Sequence, residues 1–530
     1  MQLAIPPPSC HLTITVHQLK SIVTMAIFHR TTWMIFGICA PCLLLAAFAP
    51  GTSRSEQLKK LGRRLSHLIS SNDCGNNNCV NGKANHPIGN SKKVANVKPL
   101  FSSRCISDLS ESDCDQHCPP EWEILPTENK AKLAEILSWE NLAKKDFNMF
   151  EVSNLTRDPL LLVGWAIFCE PMAQEVMRQT LDVDDDGDAD TVEAKAYHYN
   201  FNEHMMINPR AICNFLREIE SRYKRENPYH NNIHAADVTQ NLHYLIQLIG
   251  EQYLWKIYDR KTIFCLLLAA TFHDVGHPGT NNQFQQNAMT QVAIQYNDLS
   301  VLENMHSAVG QTLLLGDEKR DEWDIFEGWT YDEKAHARKV MTGSILATDM
   351  SKHFEIVAEL KSLIDEVQVL AEAVSKEVKP DTSIGGQGRQ TNLSILSQTL
   401  DVTDASQSKL DQKRKELADF FLIRYLLHAA DISNSIKGEE TFKYWADCVL
   451  TEFFAQGDKE KDLGLPISDL CDRDTVVKAD SQIGFVNYIV LPMFELLAQM
   501  IPRAKEEIVP SLERTLEYWK EKKLTSSTTR

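Results

Sequence analysis

Residues 262–284 read TIFCLLLAATFHDVGHPGTNNQF, an apolar run that ends abruptly in side chains able to bind a metal. The apolar part is typical of a buried helix. His273 and Asp274 follow it at once, and His277 stands before a Pro-Gly break. Two unlike ligands side by side at the end of a buried helix can face one cavity. This stretch predicts a helical core with a polar site at a helix end.

Two other segments carry the same kind of residues. The sequence HNNIH places His230 and His234 four apart, which on a predicted helix puts both rings on one face. The sequence LIRYLLHAADISN places His428 and Asp431 at the end of another apolar helix. Ionisable groups are costly in such surroundings unless they are paired or bound to metal. Three helices of this kind together therefore predict one shared metal site.

The donor set indicates which metals fit. His234, His273, Asp274 and Asp431 combine nitrogen and oxygen donors, which suit zinc or another borderline ion. A shared aspartate with water ligands could hold a harder ion, Mg²⁺ or Mn²⁺, beside it. Paired ions of this kind serve phosphoester hydrolysis. A closed structural zinc site is disfavoured because such sites prefer cysteine, and these motifs contain none.

The chain as a whole has a globular composition. From Pro120 onward apolar residues recur at helical spacing and alternating strand patterns are scarce, so an all-α domain is expected. With 55 basic and 72 acidic residues the net charge is −17, which argues against binding of nucleic acid or of an anionic membrane through the bulk surface. The expected segments are an unassigned stretch 1–31, an apolar segment 32–49, a polar linker 50–119 and a catalytic domain 120–530.

The apolar segment 32–49 predicts a single-pass membrane anchor. It has 18 residues without charge, the lower limit for a span. Five basic residues follow it between residues 54 and 64, against two before it, which favours a cytoplasmic domain. Ala47-Phe48-Ala49 also resembles a cleavage site, so a targeted or soluble product is the alternative, and Met25 is a plausible alternative start. The cysteines after residue 118 show no pairing pattern, which fits a reducing compartment.

Residues 182–193, DVDDDGDADTVE, resemble the twelve-residue loop of an EF-hand. Gly187 stands at the sixth position, and the carboxylates at loop positions 1, 3, 5, 9 and 12 belong to Asp182, Asp184, Asp186, Asp190 and Glu193. A Ca²⁺ site is one interpretation. A solvated acidic insertion is the other, because acid-rich surface loops are common.

Six motifs in order resemble the catalytic domain of class I 3′,5′-cyclic nucleotide phosphodiesterases. They are YHNNIHAADV (229–238), TFHDVGHPGTNNQF (271–284), YNDLSVLEN (296–304), ILATDMSKH (345–353), HAADISN (428–434) and SQIGFVNYIVLPMFE (481–495). The resemblance implies a compact bundle of about 16 helices with two metal ions at the floor of a pocket. It makes His234, His273, Asp274 and Asp431 the ligands of the first ion, with Asp274 bridging to Mg²⁺.

The same resemblance implies roles for other residues. His230 would protonate the leaving O3′, and His277 and Glu303 would position waters and the acid. The purine pocket would comprise Gln482, Phe485, Asn434, Val449 and Met350, with Asn434 favouring adenine. Three positions depart from the family, since Gly276 replaces a frequent acid, Met305 a frequent histidine and Ser435 a frequent proline.

The expected activity is hydrolysis of a cyclic nucleotide, cyclic AMP in preference, to the 5′-monophosphate. The alternatives are an HD-type phosphohydrolase of another nucleotide and a catalytically idle, membrane-tethered nucleotide sensor. The pocket formed by Gln482 and Phe485 favours the cyclic substrate, and an intact His230 argues against the idle sensor. The sequence makes no prediction about the oligomeric state.

Overall fold

A computed structural model describes residues 118–181, 196–377 and 405–528, together with residue 396, and the regular structure there is helical. The first helices are α1 (Pro120–Glu123), α2 (Thr127–Ile136), α3 (Trp139–Leu142), α4 (Met149–Leu155), α5 (Pro159–Phe168), α6 (Met172–Thr180), α7 (Phe201–Met205) and α8 (Pro209–Arg222). The middle helices are α9 (Asn232–Ile249), α10 (Glu251–Ile257), α11 (Arg260–Thr271), α12 (Asn282–Asn287), α13 (Gln291–Gln295), α14 (Val301–Leu315), α15 (Tyr331–Leu346) and α16 (His353–Glu377). The last are α17 (Ala405–Phe420), α18 (Leu427–Asp431), α19 (Glu439–Leu463), α20 (Lys478–Phe485), α21 (Leu491–Met500), α22 (Pro502–Glu507) and α23 (Val509–Thr528).

The all-α prediction is confirmed, although the number of helices differs. The described residues form 23 α-helices, many of them short, rather than about 16. Some of the difference comes from helices of four to six residues such as α3 and α12. Two long helices also change hydrogen-bonding register midway, since π-helical turns at Phe421–Leu426 and Val486–Val490 join α17 to α18 and α20 to α21.

Polar caps fix where the helices around the site begin. The Asn231 side chain accepts hydrogen bonds from the backbone N–H groups of Ile233 and His234 and starts α9. Asp259 accepts from Thr262 N at 2.7 Å and starts α11. Side-chain oxygens at this position satisfy amide groups that have no partner within the helix. The caps therefore fix the residues at which α9 and α11 begin.

Helix α9 lies at the centre of the domain, packed against α5, α11 and α18. It is buried on all sides, so its polar side chains find partners within the protein. Lys437, which follows α18, has a fully buried side chain whose Nζ lies 2.9 Å from Asp237 Oδ1. The same amine donates to Gln240 Oε1 at 2.9 Å and to the carbonyl of Phe147 at 3.1 Å. This buried ion pair fastens the segment after α18 to the central helix.

One continuous helix within the described part of the chain, Lys478–Met500, is long and apolar enough to cross a membrane by length and composition alone. It packs against α23. Core helices of globular domains pass the same test, and 44% of its apolar window is buried inside the fold. Packing within the domain accounts for its composition.

Several sequence predictions concern residues outside the described part of the chain. They are the anchor at residues 32–49, nearly all of the linker at 50–119, and the calcium loop with Asp182, Asp184, Asp186, Asp190 and Glu193. The described residues belong to one unit that extends from Ser110 to Arg530. The anchor, the cytoplasmic placement and the calcium site stay predictions.

Candidate metal centre and catalytic pocket

The sequence predicted that the two histidines of HNNIH share a helix, and this prediction is wrong. Helix α9 begins at Asn232, so His234 lies in its first turn whereas His230 precedes the cap residue Asn231. The cap forces an extended backbone at Asn231, and the two ring centroids lie 5.7 Å apart at 83°. His234 is buried, while His230 is partly exposed at the edge of the site. The buried His234 is placed to bind a metal ion, and the partly exposed His230 is placed to reach a substrate.

Three separate parts of the chain bring the four predicted ligands together. His234 from α9, His273 and Asp274 after α11, and Asp431 at the end of α18 each offer one donor atom, all within 4.8 Å of one another. Asp431 Oδ1 lies 3.1 Å from His234 Nε2 and 3.4 Å from His273 Nε2. Asp274 Oδ2 lies 3.5 and 3.3 Å from the same two nitrogens.

The donor set fits a divalent cation. His273 donates its Nδ1–H to the carbonyl of Ala270 at 2.9 Å, which leaves Nε2 buried and without a hydrogen-bond partner. In that tautomer Nε2 presents a lone pair to the carboxylates, an arrangement that a cation between them stabilises. Burial opposes ionisation of Asp274 and Asp431, but the adjacent imidazoles hold the pKa of both carboxyls below the usual range. Against the effect of burial, the same carboxylates raise the pKa of His234 and His273, and a bound cation would take the place of the imidazole protons between them. Two imidazoles and two carboxylates would then form a mixed nitrogen and oxygen site.

A fifth residue at this site, His306, was missed by the sequence analysis. It lies in α14, donates Nδ1–H to the carbonyl of Val275 at 2.8 Å, and places a buried Nε2 3.5 Å from Asp274 Oδ1. That nitrogen also has no hydrogen-bond partner. Its spacing of three residues from Glu303 on one helix face was the available signal. His306 therefore extends the donor cluster on the side of Asp274.

The acid candidate His230 is held by a residue that the sequence did not indicate, Glu452 of α19. Glu452 Oε1 lies 2.5 Å from His230 Nδ1, and Oε2 accepts from the backbone N–H groups of Tyr229 and His230 at 2.9 and 3.0 Å. Burial would lower the pKa of His230, but the Glu452 carboxylate outweighs it and raises that pKa to about 9. The pair keeps the imidazole protonated and fixes its plane.

His277 stacks on His230, with ring centroids 4.0 Å apart at 23°. Burial and the neighbouring charge of His230 lower the pKa of His277 well below its ordinary value. Asn227 donates from Nδ2 to the carbonyls of both histidines, at 2.8 and 2.9 Å. Gly279, at φ +74°, approaches so closely that a Cβ there would lie 2.8 Å from Asn227 Oδ1. The neutral ring of His277 therefore packs against the charged ring of His230. The hydrogen bonds from Asn227 fix the backbone of both residues.

Glu303 lies in the first turn of α14. Asn282 Nδ2 donates to both of its carboxylate oxygens, at 3.1 and 3.0 Å. Burial and then the nearby carboxylate of Asp349 raise the pKa of Glu303 to about 8. His428, in contrast, does not join the metal centre, because its Nε2 pairs with His353 Nδ1 at 3.0 Å.

The predicted purine-pocket residues are all partly exposed. Gln482 and Phe485 lie on α20, which packs against α19, the helix that carries Val449. Met350 opens the 3₁₀ turn Met350–Lys352. Asn434 lies just after α18, and its Nδ2 donates to the Tyr229 hydroxyl at 2.8 Å. This hydrogen bond joins the predicted base-recognition residue to the segment that carries His230.

Comparison with known proteins identifies the family. Residues 229–511 match the family model described as 3′5′-cyclic nucleotide phosphodiesterase, which covers more than half of the chain. The chain belongs to this family, and the resemblance of the six motifs is confirmed.

Named relatives belong to the same class of enzyme, and a solved structure shares the fold. The chain is 34% identical over 308 residues to the 3′,5′-cyclic-AMP phosphodiesterase 4C of Rattus norvegicus, an alignment that covers 58% of this chain and 49% of that protein. It is 33% identical over 315 residues to the 3′,5′-cyclic-AMP phosphodiesterase, isoform F, of Drosophila melanogaster, covering 59% and 41%. The chain thus spans about half the length of these relatives or less. The phosphodiesterase domain of Salpingoeca rosetta rhodopsin phosphodiesterase has the same fold, at 23% identity and TM-score 0.54, covering 75% of this chain and 96% of that one.

Proposed function

We propose that this protein hydrolyses a 3′,5′-cyclic nucleotide to the 5′-monophosphate, with cyclic AMP preferred. The observation that carries the proposal is the convergence of His234, His273, Asp274 and Asp431 within 4.8 Å, beside the ion-paired His230. A metal site can activate the attacking water, and a protonated acid beside it can supply the proton that the leaving oxygen needs. Membership of the phosphodiesterase family supports the same reaction.

His230 is the proposed general acid. Glu452 holds its Nδ1–H, so Nε2–H is free to face the cavity and protonate the leaving O3′. A positioned acid of this kind contributes about 10² to 10⁴ in rate. His277 supports the ring from behind by stacking, and its lowered pKa keeps a second positive charge away from His230.

The proposed cofactors are two divalent ions, Zn²⁺ at the first position and Mg²⁺ or Mn²⁺ at the second. His234, His273, Asp274 and Asp431 would hold the first, since two imidazoles suit a borderline ion. Asp274 would be shared with the second, which we place on the side of Glu303, where water molecules would complete the ligands of a harder ion. The chemistry that bound ions supply is polarisation of the phosphoryl oxygens and a lowered pKa of water.

Asn434 carries the proposed preference for adenine. Its Nδ2 donates one hydrogen to the Tyr229 hydroxyl, which orients the amide and leaves Oδ1 and the second N–H to meet the base. A carbonyl oxygen accepts from the exocyclic amino group of adenine but meets only another acceptor at the corresponding oxygen of guanine. Phe485 would stack on the purine, and base stacking on an aromatic ring is worth about 1–3 kcal/mol.

The test is a turnover assay of the full chain with cyclic AMP and cyclic GMP in the presence of Mg²⁺. We expect cyclic AMP to be hydrolysed with higher kcat/KM, and His230→Ala to lose most of the rate. His204→Ala, which removes an exposed histidine of α7, is the matched control and should keep it. Binding without turnover would favour the nucleotide sensor, turnover of other nucleotides alone would favour the HD-type enzyme, and equal kcat/KM for both cyclic nucleotides would refute the preference.

A further inference from the structure

Helix α19 presents a row of three buried polar side chains. Glu452, Gln456 and Glu460 are spaced four residues apart, so they lie on one face of the helix, and their exposures are 3%, 2% and 0%. Glu452 holds His230, and Glu460 accepts from Ser468 N and Oγ at 2.7 and 2.6 Å. The middle residue, Gln456, bonds to the loop that follows the metal ligands.

Gln456 forms hydrogen bonds to Asn281 through both the oxygen and the nitrogen of its side-chain amide. Its Oε1 accepts from Asn281 N at 2.8 Å, and its Nε2 donates to Asn281 Oδ1 at 3.0 Å. Nε2 also donates to Glu460 Oε1 at 2.9 Å, which fixes the orientation of the amide. Asn281 in turn caps α12, since its Oδ1 accepts from Phe284 N at 2.9 Å. These hydrogen bonds fix the backbone immediately before Asn282.

Helix α14 depends on Asn282 for its first turn. Its own cap residue, Ser300, has φ +41° and makes no capping bond, because its hydroxyl donates to Asp349 instead. Asn282 Oδ1 supplies the cap from outside by accepting from Leu302 N at 2.9 Å, while its Nδ2 binds both oxygens of Glu303. One side chain therefore sets both the start of α14 and the position of the Glu303 carboxylate.

We propose that Gln456 is a positioning residue for the second metal position, acting through Asn281 and Asn282 on Glu303. The proposal rests on the proposed function, because that function assigns the side of the site near Glu303 to the harder ion. Helix α19 would then position two groups of the site, His230 through Glu452 and the Glu303 side chain through Gln456. The two contacts are one helical turn apart and can be removed separately.

Removing Gln456 should weaken metal binding without disturbing the acid. Loss of a partner outside the ligand shell typically lowers metal affinity about 10- to 100-fold. Since Gln456 acts through two further residues, we expect Gln456→Leu to weaken Mn²⁺ binding about 10-fold, at the lower end of that range. The alkaline limb of the pH–rate profile should stay in place, because the bond between Glu452 and His230 remains.

The experiment titrates Mn²⁺ into the full-length chain loaded with one equivalent of Zn²⁺ and follows free Mn²⁺ by electron paramagnetic resonance. Binding elsewhere on the chain is the same in every variant, so differences report on this site. The matched control is Gln311→Leu, which removes another buried glutamine that donates to Ser307 and Thr342 and does not contact the loop. Thermal melts of both variants measure any general loss of stability.

The expected result is a weakened Mn²⁺ site in Gln456→Leu alone, with Zn²⁺ content and alkaline limb unchanged. Wild-type affinity for Mn²⁺ in Gln456→Leu would overturn the proposal. Equal weakening in Gln311→Leu would overturn it as well, because a general loss of packing would then explain the effect. Failure of the proposed function appears separately, as wild-type protein that binds Mn²⁺ but does not hydrolyse cyclic nucleotides.

Discussion

Replacing Glu452 by glutamine removes the charge that stabilises protonated His230 while keeping the shape of the side chain. Glu452 is 3% exposed and makes three hydrogen bonds to Tyr229 and His230. The acid form of His230 is the active form in the proposed reaction. We therefore expect the alkaline limb of kcat/KM to move to lower pH in Glu452→Gln, because the imidazole loses its proton earlier.

The size of the shift follows from the contact. A hydrogen bond to a charged group is worth about 1.5–3 kcal/mol, and one pKa unit corresponds to about 1.4 kcal/mol. Loss of the carboxylate should lower the pKa of His230 by about one to two units from its value of about 9. At pH 8 the protonated fraction would then fall from roughly nine-tenths to between about one-half and one-tenth. The rate loss should therefore grow with pH.

The assay is a pH–rate profile of the full chain between pH 6 and 10 with Mg²⁺ present. Glu460→Gln is the matched control, since Glu460 is a buried carboxylate on the same helix that binds Ser468 and does not contact His230. Its alkaline limb should match the wild type even if its melting temperature falls. An unmoved limb in Glu452→Gln, with a rate within about threefold of wild type at every pH, would refute the role given to this pair.

Asp431→Asn should abolish zinc content and turnover together, because the donor set loses a charged ligand; retention of one equivalent of zinc in elemental analysis would contradict the assigned site. Asp237→Asn should destabilise the domain by about 3–5 kcal/mol, since it leaves the buried Lys437 amine without its counter-charge. Thermal melts check this, and a loss below about 1 kcal/mol would count against the pair. The carboxylate of Glu170, which is 1% exposed and has Oε1 2.5 Å from His198 Nδ1, raises the pKa of His198. The stability that this pair adds should be complete below the ordinary pKa of histidine and be lost as pH rises through the raised value. Melting temperatures from pH 5 to 9 should show this dependence in the wild type and lose it in His198→Gln; the same profile in both would contradict it.

The sequence predicted those site residues whose polar side chains have a high free-energy cost of burial. His273, Asp274 and Asp431 stand at the ends of apolar helices, where an unpaired polar group costs several kcal/mol, and the structure places them together. His306 and Glu452 escaped notice because their segments carry polar residues throughout. In such segments one more acid or histidine is the ordinary composition of a solvent-facing helix. Only the folded structure shows that these two side chains are buried, at 1% and 3% exposure.

Local pattern also gave the wrong start for α9. A spacing of four residues between His230 and His234 fits a helix. Asn231 is a strong N-cap, however, so the helix begins at Asn232 and excludes His230. The partner of His230 then lies 222 residues away in the chain. No local signal could supply that pairing, because it depends on how α19 crosses the site.

The separation of the metal donors along the chain affects the order in which the protein folds during its synthesis. His234 and Asp431 touch across 197 residues, and Glu452 reaches His230 across 222. Contacts this distant form late, because the chain entropy lost in closing such loops must be offset by structure already in place. A growing chain that has not yet released α18 from the ribosome lacks one of the four donors, and one that has not released α19 lacks the partner of the acid. Because a ligand that binds only the folded state stabilises it, metal uptake should mark the end of folding and protect the finished domain from unfolding.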